Sequence, residues 1–470
     1  MSDKAFSVHG HFYQPPRQDP ITGEIPLEPG ANPYRNWNER IHHQCYKPNA
    51  ELGNFEHISF DLGPTLVEWM RDYDHETLSS IIEQDHRNFQ HYGIGNAMAQ
   101  SYSHTILPLS TREEKITQIR WGVLDFENTF SHKPAGLWLP ETAVDLESLE
   151  IAADHGVEFT ILAPWQADSD NLDITKPYRV KLPGQKSIAV FFYDRPLSDD
   201  ASFHPEATAN ADFFVHSRLA PRFNSANTEG DNPEIFLIAS DGEAYGHHQA
   251  FRDKFLSRLV NGAIENQPFK ATYPGIWIKE HPAVNDIRIR ENTSWSCHHG
   301  IKRWKGQCDC TPHAEWKAPL RKALNTLAQA IDEQYLLVVG KYLSDPWEMR
   351  HDYIHVICGH ISPDEYIKSK ITKNLNSEQH QQIALLLRAQ LERQRMFTSC
   401  GWFFDDFDRI EPRNNVAHAA QAAWLTYQAS GAEFSSKVKA GLRLVKSWRS
   451  GLSADVVFQH NLDRARSGQG

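Results

Sequence analysis

The sequence predicts an α/β chain: a (β/α)7 barrel over residues 1–310 followed by an α-helical C-terminal domain over residues 311–470. Three observations carry this prediction. Short apolar runs recur through the first two thirds of the chain. Helical periodicity fills several of the gaps between them. After Pro319 the runs give way to long amphipathic patterns.

The apolar runs are residues 6–11, 57–62, 96–102, 135–139, 159–163, 188–193 and 235–240. They lack strict period-two alternation and end at turn residues or polar segments, as parallel strands covered on both faces do. Residues 65–90 and 112–130 carry apolar side chains at helical spacing. Such repetition fits a barrel or a doubly wound sheet, and seven units favour a slightly irregular barrel. In the C-terminal third, 318–340, 377–398, 415–430 and 432–449 read as helices. Ala323, Leu324, Leu327 and Ile331 show the i, i+3, i+4 spacing of one buried face. Residues 15–53 and 198–233 are long irregular segments leaving the ends of the first and sixth runs. Barrel enzymes build their active sites at those strand ends.

Composition narrows the function. With 40% hydrophobic and 23% charged residues the chain is an ordinary globular protein, not a disordered, collagen-like or coiled-coil one. A formal net charge of −12 repels phosphate backbones, so no nucleic-acid partner is expected. No apolar run reaches membrane-spanning length, so no membrane association is expected. The start MSDKAFSVHGHF shows no basic stretch leading into an apolar run. Six cysteines do not make a disulfide framework, and the expectation is a cytoplasmic chain with reduced thiols. The 13 Trp and 25 His suit either sugar-facing surfaces or a large core.

The ends of the runs concentrate polar and aromatic groups. The first carries His9 and His11 and is followed by Gln14; the third leads to His104. The fourth ends in Trp138-Leu139-Pro140-Glu141, and Trp165 follows the fifth. Arg195 follows the sixth, and the seventh leads into Asp241-Gly242-Glu243 and then His247. In a parallel barrel these groups converge on one rim. Glu141 and Asp241 each emerge from an apolar run, where a carboxylate costs desolvation unless it is paired or catalytic. Two carboxylates facing one cavity are the equipment of glycoside hydrolysis; the plainer alternative is a pair of strand-end caps or ion-pair partners.

The stretches His9-Gly10-His11-Phe12-Tyr13-Gln14-Pro15, Gly136-Leu137-Trp138-Leu139-Pro140-Glu141 and Asp241-Gly242-Glu243-Ala244-Tyr245-Gly246-His247 resemble those of glycoside hydrolase family 57. Tyr102-Ser103-His104-Thr105-Ile106-Leu107-Pro108 adds weaker support. The part around Cys400-Gly401-Trp402-Phe403-Phe404-Asp405-Asp406 looks like the branch of that family with a distinct helical C-terminal domain. The resemblance implies a helical domain that helps close the cleft. It also implies retaining hydrolysis or transglycosylation of α-linked glucans, with an oligo- or polysaccharide as partner and no cofactor. By the motif match Glu141 is the nucleophile and Asp241 the acid/base, with His11, His104, Trp138 and His247 around the innermost sugar. Two departures stand out: Phe12-Tyr13 separate the second His from Gln14, and Thr142 follows the nucleophile where the family usually has Cys.

Other readings compete. His-x-His at the end of a first strand, later histidines and a late Asp also describe a metal-dependent amidohydrolase or polysaccharide deacetylase. That reading leaves Trp138-Leu139-Pro140-Glu141 unexplained. A non-catalytic carbohydrate-binding protein is a third reading, against which both carboxylates stand. A separate metal candidate is Cys297, Cys308 and Cys310 with His313, whose spacing matches no common zinc module; packing in an aromatic-rich junction is the alternative. Trp295, Arg303 and Trp304 lie in the same stretch and are candidate sugar contacts. Trp402, Asp405 and Asp406 are further candidates, or else the aspartates cap a turn.

Overall fold

The computed structural model describes residues 3–225 and 232–468. The chain forms two compact units. The first comprises the chain to Gln14, Leu27–Ser101 and Phe126–Trp295; the second takes Pro15–Pro26, Tyr102–Asp125 and the chain from Ser296. The expected boundary at residue 310 falls inside the second unit.

Among the described residues the first unit holds ten strands: β1 Lys4–Phe12, β2 Ser59–Leu62, β3 Ala97–Gln100, β4 Leu137–Trp138, β5 Phe159–Leu162, β6 Tyr178–Lys181, β7 Ser187–Phe192, β8 Glu234–Asp241 and the two-residue β9 Lys270–Ala271 and β10 Asn285–Asp286, which pair with β1 and β6. One sheet runs β4-β3-β2-β1-β8 and another carries β6-β7-β5. A parallel bridge between Gly136 and Phe159 sets β4 beside β5. The Asp194 N–H donates to the Leu237 carbonyl at 2.7 Å, which sets the end of β7 beside β8. The seven parallel strands therefore follow one another as 1-2-3-4-5-7-8, and each of the seven apolar runs supplies one. The strands outside the seven runs are β6, which pairs antiparallel with β7, and the two-residue β9 and β10. Side chains between the strands are apolar and aromatic, with Met98, Trp138, Phe159, Ile161, Phe191, Leu237 and Trp277 in one buried cluster.

Two segments differ from expectation. Residues 65–90 form two helices, Pro64–Tyr73 and His75–Tyr92, because Asp74 leaves helical geometry and caps the second by accepting from the Thr77 N–H at 3.1 Å. The segment 198–233, expected to be irregular, continues a helix at Arg195–Phe203 and is largely helical from Ala211 to Ser225. Its residues 226–231 lie outside the described residues.

The second unit is helical, with Lys317–Val339, Ser377–Arg395, Ile410–Ser430 and Ala454–Ser467 as its longer members. Tyr102, Trp121, Tyr335, Ile383, Leu386 and Leu387 share its core. The stretch read as a helix over 432–449 is helical only at Ser435–Leu442. Beyond it the chain turns back, and the Ser447 N–H donates to the Leu452 carbonyl at 2.8 Å. No helix among the described residues is long and apolar enough to cross a membrane.

Candidate active site

The register of β1 builds the site. His11 lies opposite Asp61 on β2 and opposite Asp241 on β8, so one strand position brings an imidazole between two carboxylates. His11 Nδ1 donates to Asp61 Oδ2 at 2.9 Å. Burial opposes charge on this ring, but Asp61, with Asp241 and Glu243 beyond it, raises its pKa to about 9. His11 is thus an imidazolium at neutral pH. His9, one pleat earlier, is fully buried, and burial pulls its pKa down despite Asp61. As a neutral ring it donates from Nε2 to Asp61 Oδ1 at 3.2 Å and accepts at Nδ1 from Ser59 Oγ at 2.9 Å. Both nitrogens of His9 are thus engaged, with Ser59 and Asp61.

Trp138, at the end of β4, lies over both rings, 4.5 Å from His9 and 5.3 Å from His11 between ring centres. Trp295 meets Trp138 edge-on at 5.0 Å. Its indole N–H donates to Glu141 Oε2 at 3.1 Å. Tyr193 continues this aromatic wall between Trp295 and Trp165. The Trp165 N–H donates to the Ser294 carbonyl at 2.9 Å, and the Arg195 guanidinium sits over its ring while pairing with Asp199.

Glu141 sits on a strained turn. Its φ is 57° and that of Thr142 is 48°, both in the left-handed region that a β-branched residue rarely enters. Surrounding bonds hold the turn there. The Thr142 N–H donates to the Leu139 carbonyl at 2.7 Å, and the Trp295 N–H to the Glu141 carbonyl at 3.1 Å. Gln166 makes two bonds to Thr142: its Nε2 donates to the Thr142 carbonyl and its Oε1 accepts from Thr142 Oγ1, each at 2.8 Å. Oε1 also accepts from the Ala163 N–H at 2.9 Å. The residue that departs from the family pattern thus has its own partner.

Asp241 ends β8, and Gly242 follows because the Phe12 ring leaves no room: a Cβ there would come within 2.3 Å of it. Glu243 is buried behind this turn. Burial, aided by Asp241 and opposed by the Tyr46 hydroxyl, raises its pKa to about 7. Tyr46 donates to Glu243 Oε1 at 2.5 Å, and Gln14 Nε2 reaches both Tyr46 Oη at 3.0 Å and Glu243 Oε1 at 3.3 Å. The two extra residues Phe12-Tyr13 therefore still deliver Gln14 to the site. Gly246, with φ of 141°, admits the Gln44 carbonyl where a Cβ would clash at 2.2 Å. His247 Nδ1 donates to the Gln44 side chain at 2.6 Å. Burial, then His248 and Arg40, push its pKa down to about 4, so the ring is neutral.

The first unit thus gathers His9, His11, Gln14, Trp138, Glu141, Trp165, Arg195, Asp241, Glu243 and His247 at or just beyond the C-terminal ends of its strands, with Trp295 from the segment 287–295 against Trp138 and Glu141. Three participants carry no motif in the sequence: Asp61, Tyr46 and Gln44; Gln166 follows Trp165 at the end of the fifth run. Asp61 was detectable as a carboxylate inside the apolar run 57–62. Tyr46 and Gln44 lie in the irregular segment 15–53 and carried no local signal.

The other candidates belong to the second unit. His104 Nδ1 bonds Ser399 Oγ at 2.6 Å, with φ of 51°. Arg303 lies over the Phe403 ring, and Trp304 is fully buried. Trp402 is also fully buried, donating to the Lys317 carbonyl at 3.3 Å beneath the Arg321 guanidinium. Asp405 pairs with Arg409 and Arg449. Asp406 accepts from Ser447 Oγ at 2.7 Å and the Trp448 N–H at 3.1 Å, which is the capping alternative for that residue. Cys297, Cys308 and Cys310 come together, but with His299 rather than His313. The His313 backbone is left-handed, and its ring stacks on Trp448 at 4.3 Å.

The family model of glycosyl hydrolase family 57 matches residues 6–286, and that of a domain of unknown function (DUF3536) matches residues 313–463. No curated protein matches the chain by sequence. Solved structures share its fold at low identity. An exo-type maltose-forming amylase from Pyrococcus sp. ST04 is 16% identical at a TM-score of 0.75, over 97% of this chain and 88% of that one. A branching enzyme from Pyrococcus horikoshii is 15% identical at 0.62, over 98% and 97%. The α-amylase AmyC from Thermotoga maritima is 15% identical at 0.57, over 97% and 99%.

Proposed function

The chain belongs to glycosyl hydrolase family 57, and from that premise we propose that it is a retaining hydrolase or transglycosylase of α-linked glucans, with Glu141 as nucleophile and Asp241 as acid/base. The observation that carries the reading is the strained Glu141 turn, where the Trp295 indole N–H and the bonds around Thr142 hold one carboxylate in position beside the aromatic wall. Such strain persists where surrounding structure over-determines it, and it clusters at functional sites.

Glu141 attacks the anomeric carbon as the glycosidic C–O bond breaks, and Asp241 gives its proton to the leaving oxygen. The resulting ester to Glu141 is cleaved by water or by a sugar hydroxyl, whose proton returns to Asp241. The amylase and branching-enzyme neighbours favour an α-glucan for this site. Trp138 Nε1 and both polar atoms of the Gln100 side chain are buried with no hydrogen-bond partner among the described residues. Trp138 and Gln100 are neighbours in the β3–β4 register. Sugar hydroxyls satisfy such groups.

Incubation with maltooligosaccharides, followed by product-length analysis, tests the reading. Shorter products alone mean hydrolysis, whereas longer products beside shorter ones mean transfer. Glu141→Gln removes the nucleophile and lowers either activity by several orders of magnitude. Near-normal turnover of Glu141→Gln overturns the assignment.

A further inference from the structure

Outside the carboxylate site, the second unit holds four soft donors in one place. Cys297, His299, Cys308 and Cys310 each present one donor atom, and all four atoms lie within 4.8 Å of one another. Cys297 Sγ is 3.6 Å from Cys308 Sγ and 3.7 Å from Cys310 Sγ. His299 Nδ1 is 3.3 Å from the sulfurs of both Cys308 and Cys310. All three cysteines are free thiols, and their separations are far beyond the S–S bond of about 2.05 Å.

A tetrahedral zinc site sets these distances independently. Zn–S bonds of about 2.3 Å place sulfurs about 3.8 Å apart, and a Zn–N bond of about 2.0 Å places nitrogen about 3.5 Å from sulfur. The observed edges agree with that polyhedron to about 0.2 Å. We propose that Cys297, His299, Cys308 and Cys310 form a structural zinc site.

The surroundings support it. Both arms have the same form, Cys297-x-His299 and Cys308-x-Cys310. The Gly300 N–H closes a turn on the Cys297 carbonyl at 3.1 Å, and the Thr311 N–H closes one on the Cys308 carbonyl at 3.0 Å. The backbone N–H groups of Arg303 and His299 donate to Cys297, and that of His298 donates to Cys310. Outer-shell bonds of this kind orient metal thiolates. Three thiolates around Zn²⁺ leave one negative charge. The Lys317 ammonium is fully buried, has no hydrogen-bond partner among the described residues, and counts Cys308 and Cys297 among its electrostatic neighbours. Zinc binding displaces the three thiol protons to solvent. With four protein ligands the site has no open position, so the metal stabilises the fold and takes no part in glycoside chemistry.

Metal analysis of the full-length chain, purified under reducing conditions and dialysed against zinc, tests the proposal. One zinc per chain is expected. Cys310→Ser and His299→Ala lose it, whereas His313→Ala keeps it. Replacing zinc by Co²⁺ in the unsubstituted chain gives the visible bands and sulfur-to-cobalt charge transfer of tetrahedral thiolate cobalt, a readout that survives if the substituted chains fail to fold. Stripping the metal lowers Tm by several degrees. Absence of bound zinc together with absence of the cobalt spectrum overturns the proposal. Zinc lost from His313→Ala but kept by His299→Ala overturns the ligand set.

Discussion

At His11 three carboxylates act on one imidazole: Asp61 in direct contact, Asp241 and Glu243 beyond it. The ring stays charged to about pH 9, and Asp61 is the largest of the influences that raise it. Asp61→Asn should therefore return the His11 pKa toward its ordinary value of about 6.5, read from the imidazole resonances by NMR. An unchanged pKa would mean that Asp61 is not the partner. The same groups make stability depend on pH. The pKa of His11 is raised on folding, so its contribution is complete below about 6.5 and is lost as pH rises through about 9. Glu243 rises from 4.5 to about 7, so the folded chain binds more protons in that window and stability falls as pH climbs through it. Glu243→Gln should flatten the fall in Tm between about pH 4.5 and 7 while leaving the alkaline one. The motifs placed His11, Glu141 and Asp241 at strand ends of the first unit, which is where the structure has them. At Asp61 the sequence shows a carboxylate inside an apolar run but not its partner, because strand register brings residues 50 apart into contact.

The Glu141 turn shows what elements contribute. Strand β4 delivers the carboxylate, the segment before Cys297 delivers Trp295, and the short helix after β5 delivers Gln166, whose side chain is wholly buried. Gln166→Leu keeps the volume but leaves the Ala163 N–H, the Thr142 hydroxyl and the Thr142 carbonyl without their Gln166 partner, at a cost of about 1–3 kcal/mol for each buried group. Urea titration should register that loss, and kcat should fall with KM little changed, because the turn is released and the sugar contacts are not. Full kcat in a destabilised Gln166→Leu chain would reduce Gln166 to packing. Periodicity placed the elements well: all seven parallel strands appear, and the helix Arg112–Phe130 spans the residues expected. It missed what tertiary bonds decide, such as the break at Asp74, which also accepts from His42 Nε2 at 3.0 Å.

Across the whole molecule, the parallel strands bring every motif of the first unit to one rim, which is why order along the chain was enough to read a site there. The sequence reading divided the chain once, at residue 310, whereas Pro15–Pro26 and Tyr102–Asp125 pack with the helical unit. Local composition carries no trace of such exchange. In the proposed mechanism catalysis passes through an ester on Glu141. Trapping tests it most directly: incubate the Asp241→Ala chain with 5-fluoro-α-glucosyl fluoride, whose leaving group needs no proton, and map the peptides by mass spectrometry. A fluoroglucosyl adduct on Glu141 is the predicted result, and an adduct on Glu243 or another carboxylate, or a β-configured product from the unsubstituted enzyme, would contradict it.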